Sequence, residues 1–370
     1  MRVIFAGGGT GGHVYPGLSV VAALRALRPG VELLYAGTGD AQERRIVRAA
    51  GMRYATVRAS GVRARSLPRA ARGAAALALG VGQALNLIGS FKPDAIFATG
   101  GYGSVPLSLA AAARRVPLAL FLPDVYPGWA VRFAGRLATS VATSTEAALE
   151  FLPRGKTVVT GYPVRPEFFA IDRHSARARL GLPPRVAVLL VTGGSSGAVT
   201  LNTAFTRHLP QFTTLAHVIH LTGLRDVNRV KELRERLTPQ QQARYHVHAY
   251  LDDMPAAMAS ADLAITRAGA STLGELPAVG LPAVIVPLEL SDQARNAHFL
   301  AAQGAATVID NAEAPARLYA AVDTILKDPE RLAAMRRAMT ALVRPDAARE
   351  IAHLIAECGV RSADLEGRDA

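Results

Sequence analysis

The sequence opens with MRVIFAGGGTGGHVYPG (residues 1–17), in which a short apolar run leads directly into a cluster of glycines. Five glycines occupy the six positions from Gly7 to Gly12, and His13 follows at once. Glycine lets the backbone approach a ligand closely, and the free amides at the start of the next helix attract a phosphate or another polar group. A strand, a glycine turn and a helix in this order predict a parallel α/β sheet, with His13 facing the ligand. The alternative is that His13 merely caps the helix.

The same unit returns in the second half of the chain, where TGGSSGA (residues 192–198) follows an apolar run. Apolar stretches alternate with Ala-, Leu- and Arg-rich stretches throughout, which is typical of parallel α/β layers. Strands are predicted at residues 3–6, 33–37, 95–99, 118–122, 158–160, 187–192, 216–221, 246–249, 263–266, 282–286 and 307–309. Parallel sheets bind ligands at the carboxyl ends of their strands, so the two turns predict a ligand in a cleft between two domains.

The segment GYPVRPEF, with prolines at positions 163 and 166, is the predicted linker. We therefore expect one domain over residues 1–162 and a second over residues 163–345. A C-terminal helix is expected at residues 346–358, and a flexible tail at residues 359–370.

Composition narrows the class of protein. The chain has 370 residues, 50% of them hydrophobic, which is enough for two buried cores. Its one cysteine, Cys358, excludes internal disulfides and cysteine-based zinc sites, and it fits a reducing compartment. The start of the chain is typical of a buried strand rather than of a secretory signal. The apolar run AAALALGVGQALNLIG (residues 74–89) is interrupted by Gly80, Gly82, Gln83 and Asn86, so we expect it to be too short to span a bilayer. We therefore expect a soluble, cytoplasmic protein.

The net charge of +13 is unevenly distributed. Residues 1–165 contain 20 Lys and Arg against 7 Asp and Glu, whereas the remaining residues contain 22 of each. This asymmetry predicts that the first half meets an anionic partner, such as nucleic acid, a membrane surface or a phosphorylated substrate. The alternative is a general preference for arginine in the proteome, since only 4 of the 42 basic residues are lysine.

Two common nucleotide motifs fit poorly. Gly7-x-Gly9-x-x-Gly12 matches a dinucleotide fingerprint, but the second strand ends in Gly37 rather than in an acidic residue, and Asp40 is only a loose substitute. A P-loop is excluded because no Lys-Ser/Thr pair follows the glycines.

Seven motifs, taken together, are more specific. GGGTGGHVYP, GGYGSVPLSLAA, GYPVRPE, GGSSGA, LDDMPAAMASADL, RAGASTLGE and DQARNA occur in the order and at the approximate spacing of the MurG family, which the chain resembles over residues 1 to about 355. That family transfers N-acetylglucosamine from UDP-N-acetylglucosamine to lipid I in peptidoglycan synthesis, at the cytoplasmic face of the membrane and without a cofactor. The resemblance implies the GT-B fold: two Rossmann-like parallel-sheet domains facing a central cleft, with a C-terminal helix, here residues 347–357, returning to the first domain.

The resemblance also implies a donor site. Arg165 would bind the pyrophosphate and Ser195 would hydrogen-bond the same phosphates. Glu275 would accept hydrogen bonds from the ribose hydroxyls, and Leu251 would read the uracil edge through its backbone. Asp292 and Gln293 would bind the hexose hydroxyls. The donor-binding residues carried over are Thr10, Gly11, Gly12, Arg165, Ser195, Leu251, Met254, Ala270, Ser271, Thr272, Glu275, Asp292 and Gln293. Alternatively, Glu275 caps a helix and Arg165 forms an ion pair in the linker.

The acceptor is expected on the basic half of the chain. The candidate acceptor-binding residues are Gly9, Gly100, Gly101, Tyr102 and Gly103. Arg58, Arg63, Arg65, Arg69 and Arg72 precede the apolar residues 74–91, and together they predict a patch that rests on an anionic membrane surface. The alternative is an ordinary helix packed on the sheet behind a solvated basic loop.

The chain departs from the family in three places. Residues 121–124 are Phe-Leu-Pro-Asp where the family has His-Glu-Gln-Asn, Tyr162 replaces the asparagine of GNPVR, and GGSSGA (residues 193–198) replaces GGSQGA. If Asp124 lies within hydrogen-bond reach of His13, it could orient the imidazole as the carboxylate of a triad does, so His13 and Asp124 are the candidate catalytic pair. Alternatively, Asp124 caps the next helix or pairs with an arginine. The resemblance implies inverting transfer. Because the chain contains no Asp-x-Asp, the usual divalent-metal motif of the other glycosyltransferase fold, we also expect transfer to be independent of metal.

Other functions remain open at this point. The nearest alternative keeps the fold and the UDP-sugar donor but uses a different lipid or small-molecule acceptor. A protein that binds a nucleotide-sugar without turnover would lack the base that His13 offers, and a 2-epimerase would act on the donor without an acceptor. A nucleic-acid-binding protein would explain the basic half but not RAGASTLGE or DQARNA, so no nucleic-acid partner is expected.

Overall fold

The computed structural model describes residues 1–7, 11–59, 67–194, 197–288 and 292–366, without the side chains of residues 11–13, 67–71, 130 and 361–366. The chain divides into two compact domains. The first comprises Met1–Val164 and Arg344–Ala370, and the second comprises Arg165–Val343. The first boundary therefore lies two residues after the one placed from the sequence. The chain re-enters the first domain at Arg344.

The first domain contains a seven-stranded parallel sheet in the order β3-β2-β1-β4-β5-β6-β7. Its strands are β1 (Arg2–Ala6), β2 (Glu32–Gly37), β3 (Arg53–Thr56), β4 (Ala95–Ala98), β5 (Leu118–Leu122), β6 (Ser140–Thr143) and β7 (Thr157–Val159). All residues of β4 and β5 are buried, as expected for central strands covered on both faces.

Helices cover both faces of this sheet. They are α1 (Gly11–Leu27), α2 (Ala41–Ala49), α3 (Leu67–Phe91), α4 (Val105–Ala113) and α5 (Trp129–Leu137), with 3₁₀ turns at Tyr102–Ser104 and Glu146–Phe151. The core beneath α3, α4 and α5 includes Ala84, Ile88 and Phe91 of α3. The C-terminal helix α17 (Ala347–Glu366) packs beside α1 and against β4, β5 and β6. Cys358 of this helix is buried, with its sulfur 3.3 Å from the Ser140 hydroxyl oxygen.

The second domain contains a six-stranded parallel sheet in the order β10-β9-β8-β11-β12-β13. Its strands are β8 (Val188–Thr192), β9 (His217–Leu221), β10 (Tyr245–His248), β11 (Leu263–Thr266), β12 (Ala283–Ile285) and β13 (Ala306–Val308). Its helices are α6 (Glu167–Ala170), α7 (Arg173–Arg179), α8 (Val199–Thr206), α9 (Leu209–Leu215), α10 (Val227–Glu235), α11 (Pro239–Ala243), α12 (Met254–Ser260), α13 (Thr272–Val279), α14 (Gln293–Ala302), α15 (Ala314–Leu326) and α16 (Pro329–Thr340).

The predicted fold class, two parallel-sheet α/β domains with a C-terminal helix on the first, is confirmed. Each predicted strand matches an observed one within about one residue at either end, but β3 and β6 were not predicted. Both are four residues long and contain serine, threonine or arginine, so neither forms the apolar run on which the prediction depended. Burial of β6 comes from its neighbours β5 and β7 rather than from its own composition.

Two expectations about helices require correction. The apolar run expected to be too short for a bilayer lies within the 25-residue helix α3, because its internal glycines do not interrupt the helix. Its residues Arg72–Phe91 are long and apolar enough to cross a membrane by length and composition, and 22% of that stretch is buried inside the protein. The C-terminal helix continues to Glu366, beyond the predicted end at residue 358, because the residues after Gly359 include good helix formers and no proline.

Candidate functional site

The carboxyl edge of the first sheet carries the predicted acceptor loop. After β4, Gly100 and Gly101 have φ values of +78° and +74°, a region that side chains rarely adopt. A Cβ on Gly100 would lie 3.3 Å from the Val131 side chain and 3.4 Å from the Phe121 carbonyl oxygen. The loop then closes through a hydrogen bond of 2.9 Å from the Ser104 hydroxyl to the Gly101 carbonyl. Glycine at position 100 is therefore favoured by its backbone conformation, and a Cβ there would make tight contacts.

Exposed aromatic side chains border this loop. Tyr102 follows the two glycines, and its ring centroid lies 6.2 Å from that of Trp129 at the start of α5. Phe133 follows one turn later on the same helix, and all three side chains are exposed. The loop that includes Gly103 thus presents apolar rings next to backbone groups.

Two residues that depart from the family pattern contact each other. Phe121, near the end of β5, packs edge-to-face against Tyr162, with ring centroids 5.9 Å apart and planes at 67°. Phe121 is fully buried and Tyr162 nearly so. Asp124 lies three residues beyond Phe121 and is partly buried. Phe121 and Tyr162 therefore form one aromatic contact.

In the second domain, the structure brings Arg165 and Glu275 together. Helix α13, which carries Glu275, packs on α6, which begins just after Arg165. Burial raises the pKa of the Glu275 carboxyl to about 7, while the charge of Arg165 and a hydrogen bond from Ser271 act in the opposite direction. The Arg165 guanidinium carbon lies 5.2 Å from the centre of the Phe168 ring. A carboxyl that is costly to ionise, beside a permanent cation, is typical of a ligand site.

The remaining donor residues occupy loops at the carboxyl ends of strands. Leu251 and Met254 are partly buried between β10 and the start of α12, and Ala270 lies in the turn between β11 and α13. That turn is closed by a hydrogen bond of 2.6 Å from the Thr272 hydroxyl to the Gly269 carbonyl.

The loop after β12 leads to the two predicted sugar-binding residues. Gln293 accepts a hydrogen bond of 3.1 Å from the Leu288 amide, and Asp292 is exposed at the start of α14. The loops after β11 and β12 therefore open at the same edge of the sheet, because the two strands are parallel neighbours.

Several predicted residues lie outside the described part of the chain. Gly9, Thr10 and Ser195 are among them, as is the side chain of His13, so the proposed contact between His13 and Asp124 is not described. The same holds for Arg63, Arg65 and the side chain of Arg69 in the basic patch. Gly11 and Gly12 form the first turn of α1.

A buried polar network supports the second glycine turn. A Cβ on Gly197 would lie 2.3 Å from the Thr222 carbonyl oxygen, so the turn packs directly on the end of β9. Asn202 of α8 donates to that carbonyl at 2.9 Å, and its amide oxygen lies 3.0 Å from Nε2 of His220, which therefore carries the proton. Nδ1 of His220 accepts from the Tyr245 hydroxyl at 2.7 Å. Burial lowers the pKa of His220 to about 3, so this imidazole stays neutral at physiological pH.

Two polar residues of this edge were not predicted. Arg267, which follows β11, is 6% exposed, and its guanidinium donates to the Val286 carbonyl at 2.8 Å. Asn296 of α14 is fully buried and donates to the Ala268 carbonyl at 3.1 Å. Both lie inside the motifs RAGASTLGE and DQARNA, and an arginine directly after a buried strand was the available signal. Among the described residues, no three His, Cys, Asp or Glu side chains are grouped so that they could hold a metal ion.

Comparison with family models matches both domains. Residues 3–143 match the model described as the glycosyltransferase family 28 N-terminal domain, and residues 188–351 match the glycosyltransferase family 28 C-terminal domain. Together they span most of the chain.

Similar proteins cover the chain from end to end. A protein from Moorella thermoacetica named UDP-N-acetylglucosamine--N-acetylmuramyl-(pentapeptide) pyrophosphoryl-undecaprenol N-acetylglucosamine transferase is 39% identical over 364 residues, which are 96% of this chain and 98% of that protein. The crystal structure of MurG from Acinetobacter baumannii superimposes with a TM-score of 0.72 at 25% identity, covering 96% of this chain and 99% of that one. A UDP-GlcNAc 2-epimerase from Neisseria meningitidis, bound to UDP-GlcNAc, has a TM-score of 0.71 at 14% identity over 96% of this chain and 100% of its own, and this likeness shows the fold alone.

Proposed function

Since the chain belongs to glycosyltransferase family 28, we propose that it transfers N-acetylglucosamine from UDP-N-acetylglucosamine to the lipid-linked N-acetylmuramyl-pentapeptide, converting lipid I to lipid II. The observation that carries this proposal is the similarity, along both domains, to a transferase named for that reaction. The predicted membership of the family is confirmed by the same comparison.

The donor binds at the carboxyl edge of the second sheet. Glu275 accepts hydrogen bonds from the ribose hydroxyls, because its carboxylate offers several acceptor positions in a buried site. Arg165 binds the pyrophosphate, for which its planar and permanently charged guanidinium is suited. The amides at the start of α8, after the GGSSGA turn, add partial positive charge near the same phosphates.

Transfer is inverting. A hydroxyl oxygen of the acceptor sugar attacks the anomeric carbon of N-acetylglucosamine, and the bond from that carbon to the β-phosphate oxygen breaks. UDP leaves with the bonding electron pair, while the hydroxyl proton passes to a general base. Arg165 and the α8 amides stabilise the charge that develops on the leaving diphosphate.

His13 is the base in this proposal. It lies in the first turn of α1, immediately after the glycine turn that follows β1. Asp124 follows β5, which is separated from β1 by β4 in the same parallel sheet, and in this proposal it orients the imidazole and stabilises its protonated form. An Asp124→Asn variant with unchanged turnover would remove Asp124 from this role, whereas His13→Ala tests the base itself.

The deciding experiment measures UDP release from UDP-N-acetylglucosamine with and without a short-chain lipid I analogue, with product masses determined in parallel. We expect release only with the analogue, and a product heavier by one N-acetylhexosamine. Glu275→Gln serves as the matched donor-site variant. Conversion of the donor to its 2-epimer without an acceptor would contradict the proposal.

A second candidate retains the donor but changes the acceptor. The Phe121–Tyr162 contact favours it, because an apolar pair occupies positions where the resemblance implies polar side chains. Donor binding without transfer to the lipid I analogue, together with transfer to another lipid or small-molecule acceptor, would favour this candidate.

The membrane surface is a further part of the proposal. On α3, Leu79 is 56% exposed, and Ala75 and Ala78 are exposed beside it. Arg72 is exposed one to two turns earlier on the same helix, and the Arg58 amide donates to the Gln83 side chain at 2.8 Å. An apolar helix face with arginines nearby, Arg72 before Leu79 on the helix and Arg58 beside Gln83 after it, suits the headgroup region of an anionic bilayer.

Vesicle flotation tests this surface. We expect the protein to float with anionic vesicles more than with neutral ones, and Leu79→Glu to reduce flotation. Leu224→Glu is the matched control, since Leu224 is 82% exposed in the second domain. Equal flotation of the wild type with both kinds of vesicle would contradict the proposal.

A further inference from the structure

Arg267 joins several loops at the carboxyl edge of the second sheet. It is the first residue after β11, and its side chain is buried. Nη1 donates to the carbonyls of Val286 and Pro287 at 2.8 and 3.2 Å and to the Asn311 side-chain oxygen at 2.8 Å. Nη2 donates to the hydroxyl of Thr200.

The acceptors other than Asn311 belong to two donor segments. Thr200 is the second residue of α8, directly after the GGSSGA segment. Val286 and Pro287 follow β12 and begin the loop that leads to Asp292 and Gln293. Arg267 itself begins the loop that leads to Glu275, so one guanidinium connects the loops predicted to hold the phosphates, the ribose and the sugar.

We infer that Arg267 is a positioning residue that sets the donor loops in the geometry that binds the UDP-sugar. This inference rests on the proposed function, because the loops are assigned to the donor there. Arg267 acts through the loops and not on the reacting atoms. A lysine could not replace it, since an ammonium group lacks the planar fork needed to reach the Val286 and Pro287 carbonyls and Thr200 at the same time.

The position of the three loops predicts a graded effect on ligands. A nucleoside monophosphate engages fewer of these loops than UDP, and UDP fewer than UDP-N-acetylglucosamine. The loss of affinity in an Arg267 variant is therefore expected to increase from UMP to UDP to UDP-N-acetylglucosamine. A purely structural role would lower stability without this dependence on ligand length.

Arg177 provides a matched control in the same domain. It is 4% exposed, and it donates to the Ser260 carbonyl at 3.0 Å, the Pro184 carbonyl at 2.6 Å and the Asp262 carboxylate at 2.8 Å. Ser260 and Asp262 precede β11 and Pro184 precedes β8, so Arg177 joins the amino edge of the sheet. Its burial and hydrogen bonding resemble those of Arg267 at the opposite edge.

The experiment is calorimetric titration of wild type, Arg267→Lys and Arg177→Lys with UMP, UDP and UDP-N-acetylglucosamine, with the Tm of each variant measured alongside. Both variants are expected to lower the Tm. Only Arg267→Lys is expected to weaken UDP-N-acetylglucosamine binding, by about tenfold or more, because several hydrogen bonds that fix the loops are lost.

Thr200 supplies a second test that spares the core, because its side chain is exposed. Thr200→Val removes one acceptor of Arg267 and is expected to weaken donor binding by about threefold to tenfold. Thr200→Ser keeps the hydroxyl and is expected to restore wild-type affinity.

The outcomes separate the two proposals. If Arg267→Lys and Thr200→Val bind UDP-N-acetylglucosamine as tightly as wild type, the positioning role is overturned while the donor assignment stands. If the wild type does not bind UDP-N-acetylglucosamine, the donor assignment is overturned and the positioning role with it.

Discussion

The carboxyl edges of the two sheets differ in the kinds of residue that form them. In the second domain, the edge carries a buried arginine, Arg267, bonded to loop carbonyls, and a partly buried carboxyl, Glu275, whose pKa is raised to about 7. In the first domain, the edge near β4 and β5 is formed by the constrained Gly100 and by the Phe121–Tyr162 ring pair. Groups that recognise a charged and polar ligand are costly to keep away from water in the free protein, and hydrogen bonds to the ligand offset part of that cost. An edge formed by backbone and aromatic rings contributes mainly to packing, so substitutions should change donor binding in the second domain, whereas in the first domain they should change mainly stability.

The largest expected effect is the loss of donor binding in Glu275→Gln. The amide removes the charged acceptor of the ribose hydroxyls, and hydrogen bonds to charged groups contribute about 1.5–3 kcal/mol each. We expect the affinity for UDP to fall by about tenfold to a hundredfold in calorimetric titration. Glu313→Gln is the control, since Glu313 is an exposed partner of Arg317 in the same domain. Unchanged affinity in Glu275→Gln would remove Glu275 from the donor site.

In the first domain, Gly100→Ala should affect stability. Alanine at φ +78° is strained by about 1–2 kcal/mol, and its Cβ would press on Val131 and on the Phe121 carbonyl. We expect chemical denaturation to show a loss of about 2 kcal/mol in the free energy of unfolding. Gly82→Ala in α3 is the control, because nothing lies within 4 Å of its Cβ and helix propensity favours alanine. Equal stability of the two variants would show that the loop accommodates a side chain.

The pH dependence of stability should depend on Glu275. Its folded pKa, about 7, lies above the ordinary value of 4.5, so the protonated form stabilises the fold. This contribution is fully present below pH 4.5 and is lost as the pH rises through 7. We expect Glu275→Gln to lack this loss, so its Tm should exceed that of wild type by a few degrees at pH 8 (about 2–4 °C per kcal/mol). Parallel Tm profiles for the two proteins from pH 5 to pH 8 would contradict the raised pKa.

A smaller effect is expected for the ring pair of the first domain. Edge-to-face aromatic pairs contribute about 0.5–1.5 kcal/mol beyond their buried area. A double-mutant cycle of Phe121→Leu and Tyr162→Leu should therefore give a coupling energy of that size, because the cycle cancels the other contacts of each ring. Combining Phe121→Leu with Phe212→Leu of the second domain is the control, for which additive effects are expected. A coupling near zero would mean that these two departures from the family are independent.

The smallest expected effect is that of EDTA. Because the proposed charge stabilisation comes from Arg165 and the start of α8, we expect UDP release to be unchanged by the chelator. Loss of transfer on chelation, restored by added Mg²⁺, would overturn the prediction of metal independence.

Local sequence patterns predicted much of the fold. Strands such as β5 and β11 are continuous apolar runs, and both glycine turns directly follow such runs, so their identification needs only neighbouring residues. Strands β3 and β6 escaped prediction because their short, partly polar segments become strands by pairing with neighbours. The candidate site was predicted in part: the motifs identified Arg165 and Glu275, whereas Arg267 was passed over although it lies in a quoted motif.

The sequence by itself determined the two parallel α/β domains, the glycine turns and the family. Each of these can be identified from short local patterns of residues and from the order and spacing of those patterns along the chain. Only the tertiary structure decided which side chains meet. Arg267 and Thr200 are separated by 67 positions, and helix α5, a 3₁₀ turn and strands β6 and β7 lie between Phe121 and Tyr162 in the sequence. The burial that raises the pKa of Glu275 likewise comes from packing of separate segments around it. Such contacts arise when distant segments pack, and no local pattern of residues encodes them.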